Sequence, residues 1–456
     1  MQLRPYQDLA INQARQSIGR GLKRPIIAAP TAFGKTVISA SMMEGCLSKG
    51  KKGWFLCDRI DLINQTVETY QKFGLPFGVL QADNPLTNAS ENLQIASIQT
   101  LSKLVETMGG LLPEMDFVIV DECHIQHKIV KQIMDQMSHI PVIGLTATPY
   151  SKGLGGPGMY NNLIVTVKPR ELLDMSFLTP VRYFGGEHID LSQIKSAGAH
   201  SYNAKDLEAA TSEAKEILTG SLIKNWLEFG EKSQTIAFTP SIAHSEYLVE
   251  KFNDNGIYAE HIDCHTDITE RQEIYKAHDN GEFKVLSCSR LLNTGYDSPS
   301  TRCIIDCYPI KSVTTWVQRV GRITRLCENK GHAIYLDHAC NYESFGDAFD
   351  IYPTELHDGE KPHREKDLTS KKDKKEPKTR DCPKCYQQFK GVKCACGYKV
   401  PSHEALEDDG TMLTELEAGN AANKKTSKED KARFYSDLIF YGKKKGMKNY
   451  NGWAAH

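Results

Sequence analysis

From residue 25 to about 145, short apolar runs alternate with longer stretches of mixed character. The runs at 25–28, 54–57, 93–97, 117–120 and 142–145 have the length and content of buried strands. Between them, 59–72, 99–106 and 126–137 show helical spacing, and a further helix starts at Val37. A polar helix opens at Leu3 and runs to about Ile18. A second alternating block occupies about 216–345, with strands at 235–238, 258–261, 284–287, 303–306 and 333–336. Alternation of this kind implies an α/β fold whose parallel sheets are covered on both faces. Ligands then gather at the carboxyl ends of the strands. The expected layout is a first domain over 1–168, a connector over 169–215 and a second domain over 216–345. A basic linker over 346–380, a small module over 381–400, a flexible linker over 401–430 and a helical tail over 431–456 follow.

A chain of 456 residues is too long for one core, which agrees with two domains. The net charge of −1 restricts any nucleic-acid surface to a local patch. No apolar run approaches membrane-spanning length and the N-terminus lacks a signal-peptide core, so the expected location is the cytoplasm. Thirteen cysteines, nine scattered and four close together, suit a reducing compartment with one metal site better than a disulfide framework.

The chemistry centres on Ala29-Pro30-Thr31-Ala32-Phe33-Gly34-Lys35-Thr36, between an apolar run and a helix start. A strand, a loop ending in Gly-Lys-Thr and a helix form a phosphate cradle. The helix N-terminus offers unpaired N–H groups and the positive end of its dipole. Lys35 then reaches the outer phosphates of a bound polyphosphate, and the Thr36 hydroxyl faces Mg2+. Ala29 and Ala32 stand where glycines are common, and an alanine fits there if its backbone keeps φ negative. Asp121-Glu122-Cys123-His124 follows the most apolar strand. Adjacent carboxylates at a strand end suit a metal held by Asp121 and an attacking water oriented by Glu122. An acidic helix cap is the simpler alternative for Asp121 alone. Gln7, upstream of the loop, carries an amide that matches an adenine edge. Lys152 to Gly158 reads as a mobile glycine-rich loop. In the second block, Gln318 to Arg325 sets three arginines around Gly321. Guanidinium forks suit phosphate oxygens, and Arg322 and Arg325 share a face if they lie on one helix.

This ordered set resembles superfamily 2 helicases, in which two RecA-like domains hold ATP between them. The likeness spans about 3–345. Arg4-Pro5-Tyr6-Gln7 resembles the Q-type motif and Gly34-Lys35-Thr36 motif I. Asp58-Arg59 resembles motif Ia, Ser97-Ile98-Gln99-Thr100 the next strand-contact motif, and Asp121 to His124 motif II in its DExH form. Thr146-Ala147-Thr148 resembles motif III, Thr294-Gly295-Tyr296-Asp297 motif V and Gln318 to Arg325 motif VI. The nearest subgroup is the RadD-like and type III restriction-like DNA helicases, including phage versions. The resemblance implies that Arg4, Gln7, Thr31, Gly34, Lys35, Thr36, Gly295 and Asp297 bind nucleotide. It implies hydrolysis by Lys35, Asp121, Glu122, Gln318, Arg322 and Arg325. Arg59, Ser97, Gln99, Thr100, Thr239 and Thr294 then contact the backbone of a single or forked DNA strand, or of RNA, which positions a strand without reading sequence.

Beyond this motor, 361–380 is lysine-rich. Cys382, Cys385, Cys394 and Cys396 gather four thiols in one short span, the chemistry of a structural zinc site. So small a module needs its metal to fold. Aromatic and basic residues interleave from 433 to 453, as in strand-binding or partner-docking tails. The functional expectation is an ATP-driven DNA helicase or translocase of bacterial or phage origin, used in replication, recombination or repair. The rivals are an RNA-dependent ATPase of the same fold, a recruitment or clamp protein with ATP as a switch, and the motor subunit of a restriction-type complex.

Overall fold

The computed structural model describes residues 2–82, 84–185, 196–198, 201–202, 215–289, 296, 298–358, 379–381, 388–390 and 413–416. The first sheet is built from β1 (Pro25–Ala28), β2 (Gly53–Cys57), β3 (Gly78–Leu80), β4 (Leu93–Ser97), β5 (Phe117–Asp121), β6 (Val142–Thr146) and β7 (Asn162–Ile164). Their order is β3-β4-β2-β5-β6-β1-β7, and every pairing is parallel. Strands β1, β2, β4 and β6 are buried along their whole length, which is why they read as continuous apolar runs and not as alternation. Side chains pointing to one face join Ile27, Phe55, Ile95 and Ile143; those pointing to the other join Ile26, Leu56, Val118 and Val142.

The second sheet adds β8 (Val181–Gly185), β11 (Thr235–Thr239), β12 (Ala259–Ile262), β13 (Val285–Ser289), β14 (Cys303–Asp306), β15 (Ala333–Asp337) and β18 (Thr414–Leu416). Its order is β12-β13-β11-β14-β15-β8-β18, parallel except for the last pair. Two short antiparallel pairs, β9 (Ser196–Gly198) with β10 (Ser201–Tyr202) and β16 (Thr379–Asp381) with β17 (Gln388–Lys390), stand apart from both sheets. Two parallel-dominated α/β sheets of this kind are consistent with tandem RecA-like domains.

Four expectations change. The connector over 169–215 contains β8, whose Tyr183 and Phe184 are buried in the second domain. The flexible linker over 401–430 contains β18, tied to β8 by a forked pair from Arg182 to Glu415 with 2.7 and 2.8 Å hydrogen bonds. The linker from 346 onward begins with a stretch that returns to the first domain. Phe349 enters that domain's core and Leu356 packs beside Leu154 on its other face. Lys152 to Gly158, read as mobile, is the seat for this return: Gly155 N–H donates to the His357 carbonyl at 2.8 Å, and a Cβ on Gly155 would lie 2.7 Å from Leu356 Cβ. The tail over 431–456 lies outside the described residues.

Candidate active site between the two domains

The loop from Ala29 to Gly34 leaves β1 at its carboxyl end and enters the helix Lys35–Leu47. Ala32 has φ 64° and Gly34 φ 90°. Alanine therefore occupies a left-handed position that favours glycine, against the expectation of negative φ. Gly34 is required twice over, because a Cβ there would lie 2.5 Å from Gln7 Nε2. Gln7 is buried and both ends of its amide are engaged. Its oxygen accepts the Arg4 N–H at 2.8 Å, and its Nε2 donates to the Phe33 carbonyl at 2.6 Å. In this arrangement the amide braces the loop. Arg4 lies 3.9 Å over the Phe177 ring and donates to the Ala32 carbonyl at 3.3 Å. Beside it opens a cavity of about 600 Å3 whose walls include Arg4, Tyr6, Thr166, Glu171 and Phe177.

Lys35 projects from the first helical turn onto the end of β5. Its ammonium is bonded to Glu122 Oε1 and lies 3.4 Å from Asp121 Oδ1. Burial opposes the charge on Lys35, but the two carboxylates outweigh it and raise the ammonium above its ordinary value. Burial likewise opposes ionisation of Glu122, yet Lys35 and His124 hold its carboxyl below the usual range. Asp121 is raised, by burial and by the Glu122 charge, against the pull of Lys35. Asp121 Oδ1 and Glu122 Oε2 are buried, with Lys35 and His124 at 3.4 and 3.2 Å but no well-aligned hydrogen bond. Acceptors with bonds still to make suit a cation or a water brought with the nucleotide. His124 links this end to the neighbouring strand, its Nδ1 standing 3.2 Å from Glu122 Oε2 and 2.9 Å from Thr146 Oγ1. Thr148 N–H returns to the same hydroxyl at 3.0 Å. Thr36 stands half-buried in the first turn of the same helix.

The second domain contributes the helix Val313–Ile323, capped by Ser312. Trp316, Arg319, Val320 and Ile323 form its buried face. Gln318, Gly321 and Arg322 lie on the remaining arc, and a Cβ on Gly321 would stand 2.7 Å from Thr31 Oγ1 of the phosphate loop. Arg322 Nη1 donates to the Tyr296 carbonyl. The helix ends at Ile323, so Arg325 lies beyond its cap and does not share a helical face with Arg322 as the three-residue spacing suggested. Its carbonyl accepts Thr179 Oγ1 at 3.1 Å. Arg319, grouped with the other two by sequence, is entirely buried. A run of arginines carries no signal that separates an inward one from its neighbours.

Ser97 caps the helix Ile98–Thr107, and its hydroxyl also meets Gln99 Oε1 at 2.9 Å. Gln99 Nε2 donates to the Asp58 carbonyl at 2.8 Å, which brings it beside Arg59, the cap of the helix Ile60–Lys72. Thr100 N–H points back to Ser97 Oγ. These four positions thus gather at the carboxyl ends of β2 and β4. Thr239 does not join them. It is fully buried, with its hydroxyl 3.1 Å from the carbonyls of both Ser241 and Cys288, so it cannot touch a strand as placed. Thr294, Gly295, Asp297, Cys382, Cys385, Cys394 and Cys396 lie outside the described residues. The nine cysteines among the described residues are free thiols, and none of these residues forms a metal-binding cluster of His, Cys, Asp and Glu. No helix among them is long and apolar enough to cross a membrane.

The domains also match known families. Residues 1–151 match the family of the type III restriction enzyme, res subunit, and residues 217–327 match the helicase conserved C-terminal domain. A 51.5 kDa protein of Lactococcus phage (isolate 7-9) is 24% identical over 79% of this chain and 74% of its own length. A Saccharomyces cerevisiae protein provisionally named ATP-dependent helicase IRC3 is 28% identical over 74% of this chain, which spans only 51% of the yeast protein. Among solved structures, a fragment from Vibrio vulnificus YJ016, provisionally described as an HsdR subunit of a type I restriction enzyme, superposes with a TM-score of 0.61. It is 22% identical and covers 77% of this chain and 67% of its own, a likeness of fold. With motifs in order, both domain families matched and the phosphate loop facing the DExH carboxylates, the chain belongs to the superfamily 2 helicases, the nucleic-acid-dependent ATPases.

Proposed function

We propose that the chain is an ATP-driven DNA helicase or translocase serving replication, recombination or repair in a bacterial or phage-infected cytoplasm. The observation that carries this reading is the meeting of Lys35 with Asp121 and Glu122 beneath a loop whose Thr31 touches Gly321 of the other domain. A nucleotide seated on that loop is within reach of both domains, so its hydrolysis alters how they fit together. A ligand that favours one domain arrangement shifts the population toward it.

The residues divide the work as follows. Thr31, Gly34 and the first N–H groups of the helix Lys35–Leu47 receive the phosphates. Their charge draws Lys35 away from Glu122. Freed of that partner, and with its basicity restored, Glu122 takes the proton of the attacking water while His124 holds its other oxygen. Thr36 and Asp121 are the groups that would hold Mg2+. When bound, that ion neutralises phosphate charge and polarises the bond to be broken. Gln318, Arg322 and Arg325 approach from the second domain to balance charge on the transferred phosphoryl group, and Arg322 leaves the Tyr296 carbonyl to do so. Gly295 and Asp297 complete the nucleotide contacts. Arg59, Ser97, Gln99, Thr100 and Thr294 take the strand backbone.

Cys382, Cys385, Cys394 and Cys396 form a structural zinc site in this reading. Four thiols in one short span of the sequence support it. Metal analysis of the purified chain, expected to give about one zinc per chain, tests it.

Steady-state ATP hydrolysis without nucleic acid, with single-stranded DNA, with duplex DNA and with single-stranded RNA tests the motor. Stimulation by DNA that Lys35→Ala abolishes is the expected result. Stimulation by RNA alone transfers the function to RNA remodelling, and no stimulation by any strand overturns the autonomous motor.

A further inference from the structure

Arg319 has no access to solvent, whereas Arg322 and Arg325 are partly exposed. Its guanidinium lies 4.4 Å from the centre of the Phe238 ring and 4.3 Å from that of Tyr308. It donates to Asp306 Oδ1 at 2.5 Å and to the Tyr308 hydroxyl. Asp306 ends β14 and is equally buried. Its second oxygen accepts the Tyr335 hydroxyl and, at 3.0 Å, Asn341 Nδ2. Asn341 also donates to the Tyr308 carbonyl at 3.2 Å, and its Oδ1 accepts the Ile310 N–H at 2.9 Å. The network therefore ties three things together: the end of β14, the 307–312 stretch that leads into the helix, and the helix itself one turn before Arg322.

Stability alone does not explain a charge in this place. A buried ion pair can usually be replaced by apolar groups of similar volume with little loss, and sometimes with a gain. What apolar packing lacks is direction. A guanidinium whose two prongs are held separately, one by the Asp306 carboxylate and one by the Tyr308 hydroxyl, permits one rotation of the helix about its axis. That rotation aims the rest of the helix surface, where Gly321 meets Thr31 and where Gln318 and Arg322 are carried.

We infer that Arg319 is a positioning residue: by locking onto Asp306 it sets the rotation of the helix Val313–Ile323, and with it the aim of Arg322 and Gln318 at the phosphates. Arg319 touches no nucleotide itself. The inference rests on the proposed ATPase reading and adds to it a residue that acts only through others.

The test compares wild type, Lys35→Ala, Arg319→Lys and the double variant Asp306→Asn/Arg319→Met in strand-stimulated ATP hydrolysis. Thermal melting of each protein is followed in parallel. The double variant removes both buried charges and keeps the volume. It is expected to melt within a few degrees of wild type and to keep KM for ATP within about threefold, while kcat falls on the order of 30-fold or more, because misplacement by about 1 Å costs up to about 100-fold. Arg319→Lys, which keeps the charge without the fork, is expected to recover less than half of wild-type kcat. A folded double variant with wild-type kcat overturns the inference, as does a raised KM with kcat unchanged. If the double variant does not fold, Tyr335→Phe takes its place, since it removes one hydroxyl from Asp306. A severalfold fall in kcat then supports the inference and an unchanged kcat overturns it. A wild type that responds to no strand overturns the motor reading instead, and that arm alone reveals it.

Discussion

Gly321 and Thr31 meet across the two domains so closely that a methyl group on Gly321 would stand 2.7 Å from the Thr31 hydroxyl oxygen. A side chain fits there only if the Thr31 hydroxyl on the phosphate loop gives way. Gly321→Ala is expected to lower strand-stimulated kcat about tenfold or more while leaving the melting temperature nearly unchanged, because the clash lies between domains and not within a core. Thr31→Ala removes the clashing oxygen and leaves Cβ, 3.8 Å away. Adding Gly321→Ala to Thr31→Ala should therefore cost little more. A full tenfold further loss in that background would show that the contact is not the cause.

Ala32 stands at φ 64° in the phosphate loop. The left-handed conformation costs an alanine about 1–2 kcal/mol, and glycine loses about 0.5–1 kcal/mol more entropy on folding. Ala32→Gly is thus expected to stabilise the first domain by roughly 0.5–1 kcal/mol in urea unfolding. Ala32→Val should destabilise it, since branching at Cβ worsens the same conformation. Destabilisation by glycine would contradict the geometry.

Burial holds two histidines of the second domain neutral: His338 is pushed down to about 3, and His278 to about 4. Both lie below the unfolded value of about 6.5, so the unfolded chain binds protons that the folded one refuses. Their contribution is fully present above pH 6.5 and is lost as pH falls from there toward 4. The loss approaches about 1.4 kcal/mol per pH unit for each histidine. Urea midpoints taken between pH 7.5 and 4.5 measure it. His338→Leu should flatten the slope, and a slope unchanged in that variant would assign the acid sensitivity elsewhere.

Arg170 ties the chain entering the second domain to the chain leaving it. Its guanidinium reaches Asp347 at 2.9 Å and Asp350 at 2.8 Å, and Asp347 also accepts the Tyr183 hydroxyl at 3.2 Å. With Phe349 and Leu356 docked on the first domain, the two domains are joined by two chain crossings and not one. Arg170→Ala should broaden the distance distribution between dyes placed one on each domain, and cost about 1–3 kcal/mol through the partner left buried. An unchanged distribution would mean that the docked apolar residues alone hold the joint.

Glu122→Gln tests the assigned base. With the Lys35 contact reduced to a neutral acceptor, ATP should still bind with a KM near that of wild type. Hydrolysis should fall by about 100-fold or more, the usual contribution of a positioned general base. A variant that hydrolyses ATP at half the wild-type rate would move the proton to another group.

Much of this molecule is legible in its sequence because the relevant signals are local. A four-residue apolar run followed by Gly34-Lys35-Thr36, or by Asp121-Glu122, announces a strand whose carboxyl end carries chemistry, and neighbouring residues are enough to read it. The order of these segments along the chain carries the two-domain architecture. The departures have a common physical cause, which is dependence on a distant partner. Strands β3, β7 and β18 are three residues long and too short to show a period, so only the edge they join defines them. Glu415 becomes part of a sheet because Arg182, remote in sequence, meets it. Lys152 to Gly158 has the composition of a loose loop, and becomes a seat because Leu356 fills the space its glycines leave open. Arg319, Arg322 and Arg325 are chemically identical, and only the burial of one helical face sends the first into the core, while the end of the helix at Ile323 separates the third from the second. Composition and spacing determined which groups are available for phosphate chemistry; which of them face the cleft was decided by packing, since a side chain's direction follows from the surfaces its element must bury.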